Sequence, residues 1–422
     1  MKALLVGITT KYDRYDINYS LDELENLANS LDIKSIGRIT QNLDSPNKSF
    51  YIGKGKLNEI SLFLLTNECD IVIFNDELTP AQNRNITEAL KKEVIDRSFL
   101  ILKIFELRAM TKEAKLEIKL AKDLYMLPRI QLMHENDDRI GGAGFTKGSG
   151  ETQKELDRRH LLAEINHLKD ELESLSKMKL NQIEKRKRNE IPIVALVGYT
   201  NAGKSTTLNT LINKLSNNEL ENNKKNVLAK DQLFSTLHTY NRKLKYNKIE
   251  FMLVDTIGFV SKLPHNLVNS FYETLQEIKN ADLIIHVVDS SSIYINEQIN
   301  VVMEVLNSLK ALEIPQFFLL NKWDKTISKT MTTPGFKSIP FSNKTKENID
   351  LLLNTISEEI SPHFIHAKLL IPYSKGDLSH LIEEKCQINH KSYEQNGTYF
   401  DCEIPKKMYN MFKDYDIDMM VS

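Results

Sequence analysis

A glycine-rich segment in the middle of the chain has the residue types needed to hold phosphate groups. It reads Gly198-Tyr199-Thr200-Asn201-Ala202-Gly203-Lys204-Ser205, fits the pattern GxxxxGK[ST], and lies between a strand-like and a helix-like run. Glycines let backbone N–H groups surround an anion, and the helix N-terminus adds partial positive charge. Lys204 is expected to bridge the β- and γ-phosphates, and the Ser205 hydroxyl to ligate Mg²⁺. The segment therefore predicts a nucleoside triphosphate site.

A second motif follows the strand-like run Phe251–Val254 and reads Asp255-Thr256-Ile257-Gly258. The Asp255 carboxylate is expected to reach the Mg²⁺ shell through water, and the Gly258 N–H to meet the γ-phosphate and register its loss. This motif is common by chance, but its distance from a phosphate loop makes it informative. Phe259 follows where Ras-type GTPases place a Gln that orients the attacking water. Slow hydrolysis by the isolated chain is therefore predicted.

A third motif, Asn321-Lys322-Trp323-Asp324, follows another apolar run and predicts the choice of base. The Asp324 carboxylate can accept hydrogen bonds from guanine N1–H and the 2-amino group, and adenine offers neither donor. Lys322 is expected to cover the base face, and Asn321 to tie loops together. Ser342-Asn343-Lys344 is expected to offer a backbone N–H to guanine O6. The order and spacing of these motifs predict a GTPase that binds GTP and GDP.

A switch segment is expected between the first two motifs, at Asp231-Gln232-Leu233-Phe234-Ser235-Thr236-Leu237-His238-Thr239. It needs a Thr whose hydroxyl binds Mg²⁺ only when GTP is present. Thr236 is the first choice and Thr239 the second, while an amphipathic loop is the alternative for their neighbours. The predicted catalytic residues are Lys204, Thr236 and Gly258. The nucleotide contacts predicted here are Phe234, Ser235, Thr236, Leu237 and His238.

Asn201, three residues before Lys204, suggests a second cofactor. Its side-chain oxygen is expected to help ligate K⁺ near the phosphates, where a positive charge offsets charge that develops in the transition state. The alternative is that Asn201 only hydrogen-bonds within the loop. Both interpretations stay open at this point.

Length and composition limit the class of protein around these motifs. The chain has 422 residues and a net charge of -1, which does not favour a globally basic nucleic-acid binder. Three scattered cysteines fit a reducing compartment. Because no apolar run approaches the ~18–20 residues of a membrane span, we expect a cytoplasmic monomer without a membrane span.

Four regions follow from the patterning, and the predicted fold class is α/β. Residues 1–108 predict a small α/β domain with a largely parallel sheet, including strands Ala3–Ile8 and Asp70–Phe74 and helices Leu21–Leu31 and Leu57–Leu65. Residues 191–362 predict the P-loop GTPase domain. Its expected strands are Ile193–Val197, Phe251–Val254, Leu283–Val288, Phe317–Leu320 and Ser338–Phe341.

Residues 109–190 differ, because leucines recur there at helical spacing. One stripe is Leu116, Leu120, Leu124 and Leu127, and the other is Leu161, Ile165, Leu168, Leu172 and Leu175. Two such stripes predict an antiparallel helical hairpin, with an isolated surface helix as the alternative. Pro128 is expected to bend or end the first helix. The loop 139–151 contains five glycines and is either a connector or a tip that contacts RNA.

The last region, 363–422, predicts a small α+β domain. It has a strand-like run at Leu369–Tyr373 and a helix near Asp377–Lys385. Asn396-Gly397 between two strand-like runs predicts a type I′ hairpin turn.

Over nearly its whole length the sequence resembles the HflX family of translational GTPases. The matching segments are Tyr51–Lys56, Asn75–Asn85, Gly150–Gln153, Asp157–Arg159, Gly198–Ser205, Asp231–Phe234 and Asp255–Val260. The resemblance implies an N-terminal domain with a helical hairpin, a GTPase domain and a small C-terminal domain. It implies binding to the large ribosomal subunit and its rRNA, and a role in splitting or rescuing stalled ribosomes under stress. Two other functions stay open, a nucleotide-gated RNA-binding factor and a GTPase acting in RNA modification.

The sequence departs from the family pattern at three places. Lys147-Gly148-Ser149-Gly150-Glu151 stands where members usually have Arg-Gly-Pro-Gly-Glu, and the stretch after Thr236 lacks the usual Asp and paired threonines. Asn343 stands where Ala is usual. These changes leave the predicted phosphate and Mg²⁺ ligands in place. They bear on how the loop meets rRNA, and on whether the chain is a housekeeping form or a specialised paralogue.

Overall fold

The structure is a computed structural model, and it describes residues 1–11, 16–133, 153–188, 191–215, 240–247, 249–262, 278–326, 335–360, 364–406 and 408–420. The chain forms two compact units. The first comprises Met1–Met178 with the segments Lys230–His238 and Gly258–Thr274, and the second comprises Lys179–Ala229, Thr239–Ile257 and Leu275–Ser422. Because both units combine distant segments, the four sequence regions stay a prediction.

A four-stranded parallel sheet forms the centre of the first unit, in the order β2-β1-β3-β4. The strands are β1 Lys2–Thr9, β2 Lys34–Asn42, β3 Ile71–Phe74 and β4 Glu93–Asp96. The predicted parallel sheet and the strands β1 and β3 are confirmed. Sequence analysis missed β2, because this edge strand is largely exposed and contains many polar residues. It also missed the short strand β4.

Four helices connect and cover these strands. They are α1 Ile17–Asn29, α2 Lys54–Thr66, α3 Pro80–Leu90 and α4 Arg97–Arg108. The start of α3 is fixed locally, because Thr79 and Gln82 form a reciprocal capping box and Pro80 occupies the first turn. The cap of α4 is Asp96, whose carboxylate accepts from the N–H of Phe99 at 2.9 Å.

The helical hairpin consists of α5, Lys112–Met133, and α6, Gln153–Arg188. Both predicted leucine stripes meet in one seam, whose members are Leu116, Leu120, Leu124, Leu127, Leu161, Ile165, Leu168 and Leu172. Ion pairs join Lys112 to Glu171 and Lys119 to Glu164. Since the partner moves back along α6 as the chain advances along α5, the helices are antiparallel, as predicted.

Pro128 does not end the first helix, because α5 continues through it to Met133, and the alternative that it bends the helix stays a prediction. Proline removes one helical N–H, which usually weakens the helix. Here the next residue anchors the turn. The buried Arg129 guanidinium donates to the Tyr125 carbonyl at 2.8 Å and to the Leu78 carbonyl at 2.7 Å. Tertiary hydrogen bonds therefore hold the turn that carries the proline.

The first unit also holds the described segment Gly258–Lys262. The Arg97 guanidinium, directly after β4, pairs with the buried Glu23 carboxylate and lies 3.0 Å from the Ser261 hydroxyl. Ser261 also donates to Glu23, and Lys262 pairs with Asp76. Buried charges of this kind need such partners, since an uncompensated one is costly. The segment is thus fixed by specific polar contacts inside this unit.

A six-stranded sheet forms the centre of the second unit, in the order β10-β9-β8-β5-β7-β6. The strands are β5 Ile193–Val197, β6 Tyr240–Tyr246, β7 Ile249–Asp255, β8 Leu283–Asp289, β9 Gln316–Asn321 and β10 Ser338–Pro340. All five predicted strands are present. The missed strand, β6, is the antiparallel edge strand beside β7. Its sequence YNRKLKY carries three positive charges, as exposed edges often do.

Helices pack against this sheet, and a smaller sheet follows it. The helices are α7 Lys204–Leu215, α8 Ile295–Ser308 and α9 Ile349–Ile360. The smaller sheet is antiparallel, in the order β11-β13-β12, with strands β11 Phe364–Ile371, β12 Gln387–Glu394 and β13 Gly397–Pro405. Two further helices are α10 Gly376–Lys385 and α11 Ile417–Met420. The predicted α+β character of this region is confirmed.

Two details of the smaller sheet differ from the prediction. Strand β11 ends at Ile371, one residue before Pro372, which has no N–H for the ladder. The hairpin turn is Gln395-Asn396, and neither residue has the positive φ that type I′ requires. Gly397 is needed for another reason, because a Cβ there would lie 2.2 Å from the Ile371 carbonyl oxygen.

In the described part of the chain, no helix combines the length and the apolar character of a membrane span.

Candidate nucleotide site

The glycine-rich loop connects β5 to α7, as the sequence predicts for a phosphate loop. Its two glycines have positive φ angles, 154° at Gly198 and 99° at Gly203. A Cβ at Gly198 would lie 2.2 Å from the carbonyl oxygen of Val287 on the adjacent strand, so no larger residue fits. These constraints produce a tight turn whose N–H groups lie at the start of a helix, the arrangement that binds anions.

Lys204 opens α7 and is almost completely buried. Its ammonium donates to the carbonyls of Gly198 and Tyr199, each at 3.0 Å. Burial lowers the pKa of Lys204 to about 8, and the negative charge of Asp255 opposes that shift only in part. The loop therefore curls around its own lysine and presents a cation that phosphate oxygens can recruit.

The Ser205 hydroxyl donates to the Asp255 carboxylate at 2.6 Å. Asp255 is the last residue of β7 and is fully buried, so the end of a strand brings its carboxylate to the start of α7. Hydroxyl and carboxylate oxygens are hard donors of the type that Mg²⁺ prefers. Thr256 lies next to them but turns its hydroxyl to the Leu196 carbonyl at 2.7 Å. The donor set of Ser205 and Asp255 therefore fits a magnesium ion.

Asn321, at the end of β9, links the base-reading segment to the phosphate loop. Its side-chain amide donates to the Ala202 carbonyl at 2.7 Å, and its oxygen accepts from the Asn343 N–H at 3.3 Å. The next residue, Lys322, has a φ of 61°, and its ammonium pairs with Asp289 at 2.7 Å. This ion pair joins the ends of two adjacent strands.

Asp324 presents its carboxylate at the surface of the second unit. It accepts a hydrogen bond from the buried Ser342 hydroxyl at 2.7 Å. This bond, with smaller effects of Lys344 and Lys325, lowers the pKa of Asp324. The carboxylate is therefore ionised at neutral pH and acts only as an acceptor, which suits the N1–H and 2-amino donors of guanine.

The side chain of Trp323, the third residue of the base-reading motif, lies in the core. Its side chain is buried in a hydrophobic cluster of the second unit and is not presented beside Asp324. The other members of that cluster are Val288, Ile295, Phe318 and Leu320. Only the backbone of Trp323 is left for the nucleotide contact that the sequence motif suggested.

Asn201 has a φ of 60° and an exposed side chain. Asn is among the few residues that tolerate this left-handed conformation. Its exposed side chain leaves both earlier interpretations, a K⁺ ligand and a hydrogen bond within the loop, as predictions. The backbone conformation supplies a different reason for Asn at this position.

Several predicted site residues cannot be placed in this site. Thr236, its neighbours Phe234, Ser235, Leu237 and His238, and the second choice Thr239 lie outside the described residues. Gly258 belongs to the first unit. Their predicted roles toward Mg²⁺ and the γ-phosphate stay predictions.

Sequence reasoning missed three polar residues of the site. Asp289 is the partner of Lys322, and Thr207 and Thr210 are bonded to Asn343. Asp289 ends a buried strand, the position that drew attention to Asp255, so a signal for it was present in the sequence. The threonines lie inside a helix and gave none.

The fold and this constellation define a P-loop GTPase. A family model described as 50S ribosome-binding GTPase matches residues 193–322. Two further family models, described as GTP-binding GTPase N-terminal and GTP-binding GTPase Middle Region, match residues 18–106 and 108–186.

Two HflX GTPases match this chain over nearly its whole length. GTPase HflX of Caldanaerobacter subterraneus subsp. tengcongensis is 38% identical over 414 residues, covering 97% of this chain and 93% of the relative. GTPase HflX of Escherichia coli is 33% identical over 404 residues, covering 94% and 92%. A crystal structure of SsGBP with GDP has 29% identity and a TM-score of 0.47, covering 85% of this chain and 98% of that one. The chain belongs to the HflX family of GTPases.

The family segment Asn75–Asn85 is explained by the architecture of the first unit. Asn75 bonds Ser20 and Arg97, and Asp76 pairs with Lys262. Further along the segment, the capping box begins α3, and the Asn85 amide donates to the Ser49 carbonyl at 2.9 Å. This segment therefore organises the unit, and nothing in its contacts suggests chemistry of its own.

Proposed function

We propose that this GTPase is Mg²⁺-dependent, binds the large ribosomal subunit through its rRNA, and splits or rescues stalled ribosomes under stress. Hydrolysis of GTP to GDP and phosphate then times its release. The nucleotide part of the proposal is supported by four residues of the second unit. Lys204 offers a positive charge to the phosphates, and Ser205 and Asp255 offer oxygen atoms of the kind that Mg²⁺ prefers. Asp324 offers a hydrogen-bond acceptor to guanine.

Support for the ribosomal part comes from the family. The model that matches residues 193–322 is described as a 50S ribosome-binding GTPase, and the relatives are GTPases of the same family. The long hairpin of α5 and α6 offers an extended element suited to reach into an RNA particle. Its connecting loop 139–151 lies outside the described residues. We assign that loop and the basic run Lys185–Arg188 to contacts with rRNA phosphates.

Within the site we assign Lys204 to the β- and γ-phosphates, and Ser205 to Mg²⁺ directly, with Asp255 acting through water. Thr236 is assigned to Mg²⁺ in the GTP state, and the Gly258 N–H to the γ-phosphate. When bound, Mg²⁺ would neutralise the negative charge that develops on the phosphate oxygens in the transition state. Lys204 and the loop N–H groups do the rest of the positioning.

We also assign Asn201 to a K⁺ ion beside the phosphates. The support is the position of its exposed side chain in the phosphate loop, three residues before Lys204. A monovalent cation there would offset transition-state charge as an arginine finger does.

The experiment that tests the ribosomal proposal is co-sedimentation with isolated large and small subunits, with GTP, GDP or a slowly hydrolysed GTP analogue. We expect retention on large subunits that depends on GTP or the analogue. A sharper arm uses Asp324→Asn, which is expected to bind large subunits with xanthosine triphosphate but not with GTP. Equal sedimentation without nucleotide would refute the nucleotide-gated proposal.

The same reagents separate timing by hydrolysis from simple gating. If one round of subunit splitting proceeds with the analogue but the protein is then not released, hydrolysis times release. If splitting and release both proceed with the analogue, the protein acts as a nucleotide-gated RNA-binding factor. Absence of binding to either subunit would favour a role in RNA modification.

A further inference from the structure

Asn343 joins three parts of the nucleotide site through its side chain. The amide donates to the Thr207 hydroxyl at 2.9 Å and to the Asn321 side-chain oxygen at 3.2 Å. Its oxygen accepts from the Thr210 hydroxyl at 2.9 Å. Since Thr207 and Thr210 lie on α7 and Asn321 ends β9, one side chain connects the helix after the phosphate loop with the base-reading motif.

Besides a long direct contact of its amide with the Gly203 carbonyl, at 3.4 Å, Asn343 reaches the phosphate loop through two shorter bonds. Thr207, which is fully buried, passes the contact on by donating to the Gly203 carbonyl at 2.9 Å. Asn321 does the same through its bond to the Ala202 carbonyl at 2.7 Å. An amide has only two hydrogens, and both are used by these routes. Hydrogen bonds from the loop that contains Ser342 therefore stabilise the turn that carries Lys204.

Base reading begins at the neighbouring residue. Ser342 donates to Asp324, and the Asn343 N–H is bonded to the Asn321 oxygen. A shift of the segment 342–344 would therefore disturb the acceptor for guanine and the carbonyls at the phosphate loop together. An alanine at position 343 would keep the backbone but would leave Thr207 and Thr210 without this partner.

We propose that Asn343 is a positioning residue that couples guanine recognition to phosphate binding. It keeps the phosphate loop in its binding geometry while the base is held, so contact with the base strengthens the grip on the β-phosphate. The inference rests on the proposed roles of Lys204 and Asp324, and it concerns a position where the family pattern has Ala.

The test compares GMP and GDP, because the two differ by the β-phosphate that the loop holds. The dissociation constants of GMP and GDP are measured by competition against a fluorescent GDP derivative, for the wild type and for Asn343→Ala. Loss of buried hydrogen bonds of this type is expected to weaken GDP binding roughly tenfold. GMP binding is expected to weaken by about threefold or less, so the ratio of the GMP to the GDP dissociation constant falls.

Two further variants keep the result interpretable. Asn348→Gly removes an amide that, among the described residues, donates to the Pro340 carbonyl at 2.8 Å, and it preserves the positive φ of that position. The ratio of its dissociation constants is therefore expected to stay at the wild-type value. Thr210→Val removes the hydroxyl bonded to Asn343. It is expected to lower the ratio less than Asn343→Ala and to add nothing in the double variant.

Equal losses of GMP and GDP affinity in Asn343→Ala, or no loss at all, would overturn the coupling. A fall in the ratio that Asn348→Gly reproduces would overturn it too, since the effect would then be general loosening of the loop. A different result is expected if the proposed nucleotide site itself is wrong. In that case the wild type itself would bind GMP and GDP alike, and Lys204→Ala would not change GDP affinity.

Discussion

The Ser205 hydroxyl lies 2.6 Å from the Asp255 carboxylate, which joins the first turn of a helix to the end of a buried strand. The two residues are 50 positions apart in the sequence. Both atoms are hard oxygens of the type that Mg²⁺ prefers, so Ser205 would hold the ion directly and Asp255 would act on it through water.

The first prediction concerns this pair. Asp255→Asn keeps the shape of the side chain but removes the charge that attracts Mg²⁺. We expect Mg²⁺ affinity in the GTP complex to fall roughly 10–100-fold, as for other outer-shell carboxylates. The measurement is a Mg²⁺ titration of nucleotide release. Asp282→Asn is the matched control, because Asp282 accepts from the Ile193 N–H outside the site; equal midpoints for all three proteins would contradict the assignment.

The second prediction exchanges base specificity. Asp324→Asn is expected to weaken GTP binding by about 100-fold and to raise relative affinity for xanthosine triphosphate, because an amide can donate to the 2-oxo group. Competition binding with both nucleotides measures the exchange. Asp289→Asn serves as the control, since it changes the carboxylate that pairs with Lys322 and Ser291 but leaves Asp324 in place, and it should bring no gain for xanthosine triphosphate. Unchanged GTP affinity would mean that Asp324 does not read the base.

The third prediction follows from the pKa of Lys204, which burial lowers to about 8. Bound phosphate favours the charged form, so the complex holds a proton that the free protein loses above this pH. GDP affinity should be constant below about pH 8 and fall by up to about tenfold per pH unit above it. Calorimetry at pH 8.5 in buffers of different ionisation enthalpy should show proton uptake on binding.

Lys204→Ala provides the control for that pH dependence. It should show no such uptake, while ionisation of guanine at alkaline pH affects both proteins alike. The variant should also lose hydrolysis and bind GTP more weakly relative to GDP, since the ammonium is assigned to both terminal phosphates. The same pH profile in wild type and variant would assign the titration to another group.

Elements of the fold could be predicted from the sequence where a local pattern of residues determines them. Strand β5 was predicted to the residue, because a run of apolar residues buried on both faces between turn-forming residues is a local pattern. The edge strands β2 and β6 are polar on at least one face and lack that signal. The loop around Lys204 was predictable because its glycines meet a backbone requirement.

Contacts between distant residues gave no comparable signal. Asn343 and Thr207 are 136 residues apart, and Lys322 and Asp289 are 33 apart. Such pairs exist only once the strands are ordered in the sheet. Trp323 is a different case, because its ring packs in the core, so the contact predicted from its motif position stays a prediction for its backbone.

The fourth prediction is slow intrinsic hydrolysis with strong activation by large ribosomal subunits. Phe259 follows the second motif, and its side chain is buried in the first unit, so it offers no polar group to the attacking water. Another group must orient that water. Multiple-turnover hydrolysis should rise by at least about tenfold with large subunits and stay low with small subunits alone. Fast turnover in isolation without further stimulation would refute this interpretation.

The last prediction distinguishes two reasons for Asn at position 201. If its oxygen ligates K⁺, turnover at matched ionic strength should be faster in KCl than in NaCl, because the ion offsets transition-state charge. If Asn serves only the φ of 60°, glycine should replace it without loss, since glycine adopts that conformation freely. Asn201→Gly preserves the backbone and removes the oxygen.

Loss of the KCl advantage in Asn201→Gly, with GDP affinity retained, would therefore assign the cation to the side chain. Asn201→Ala is a less informative variant, because alanine disfavours a positive φ and would disturb the loop as well. Equal rates of the wild-type protein in KCl and NaCl would leave Asn201 with its backbone role alone.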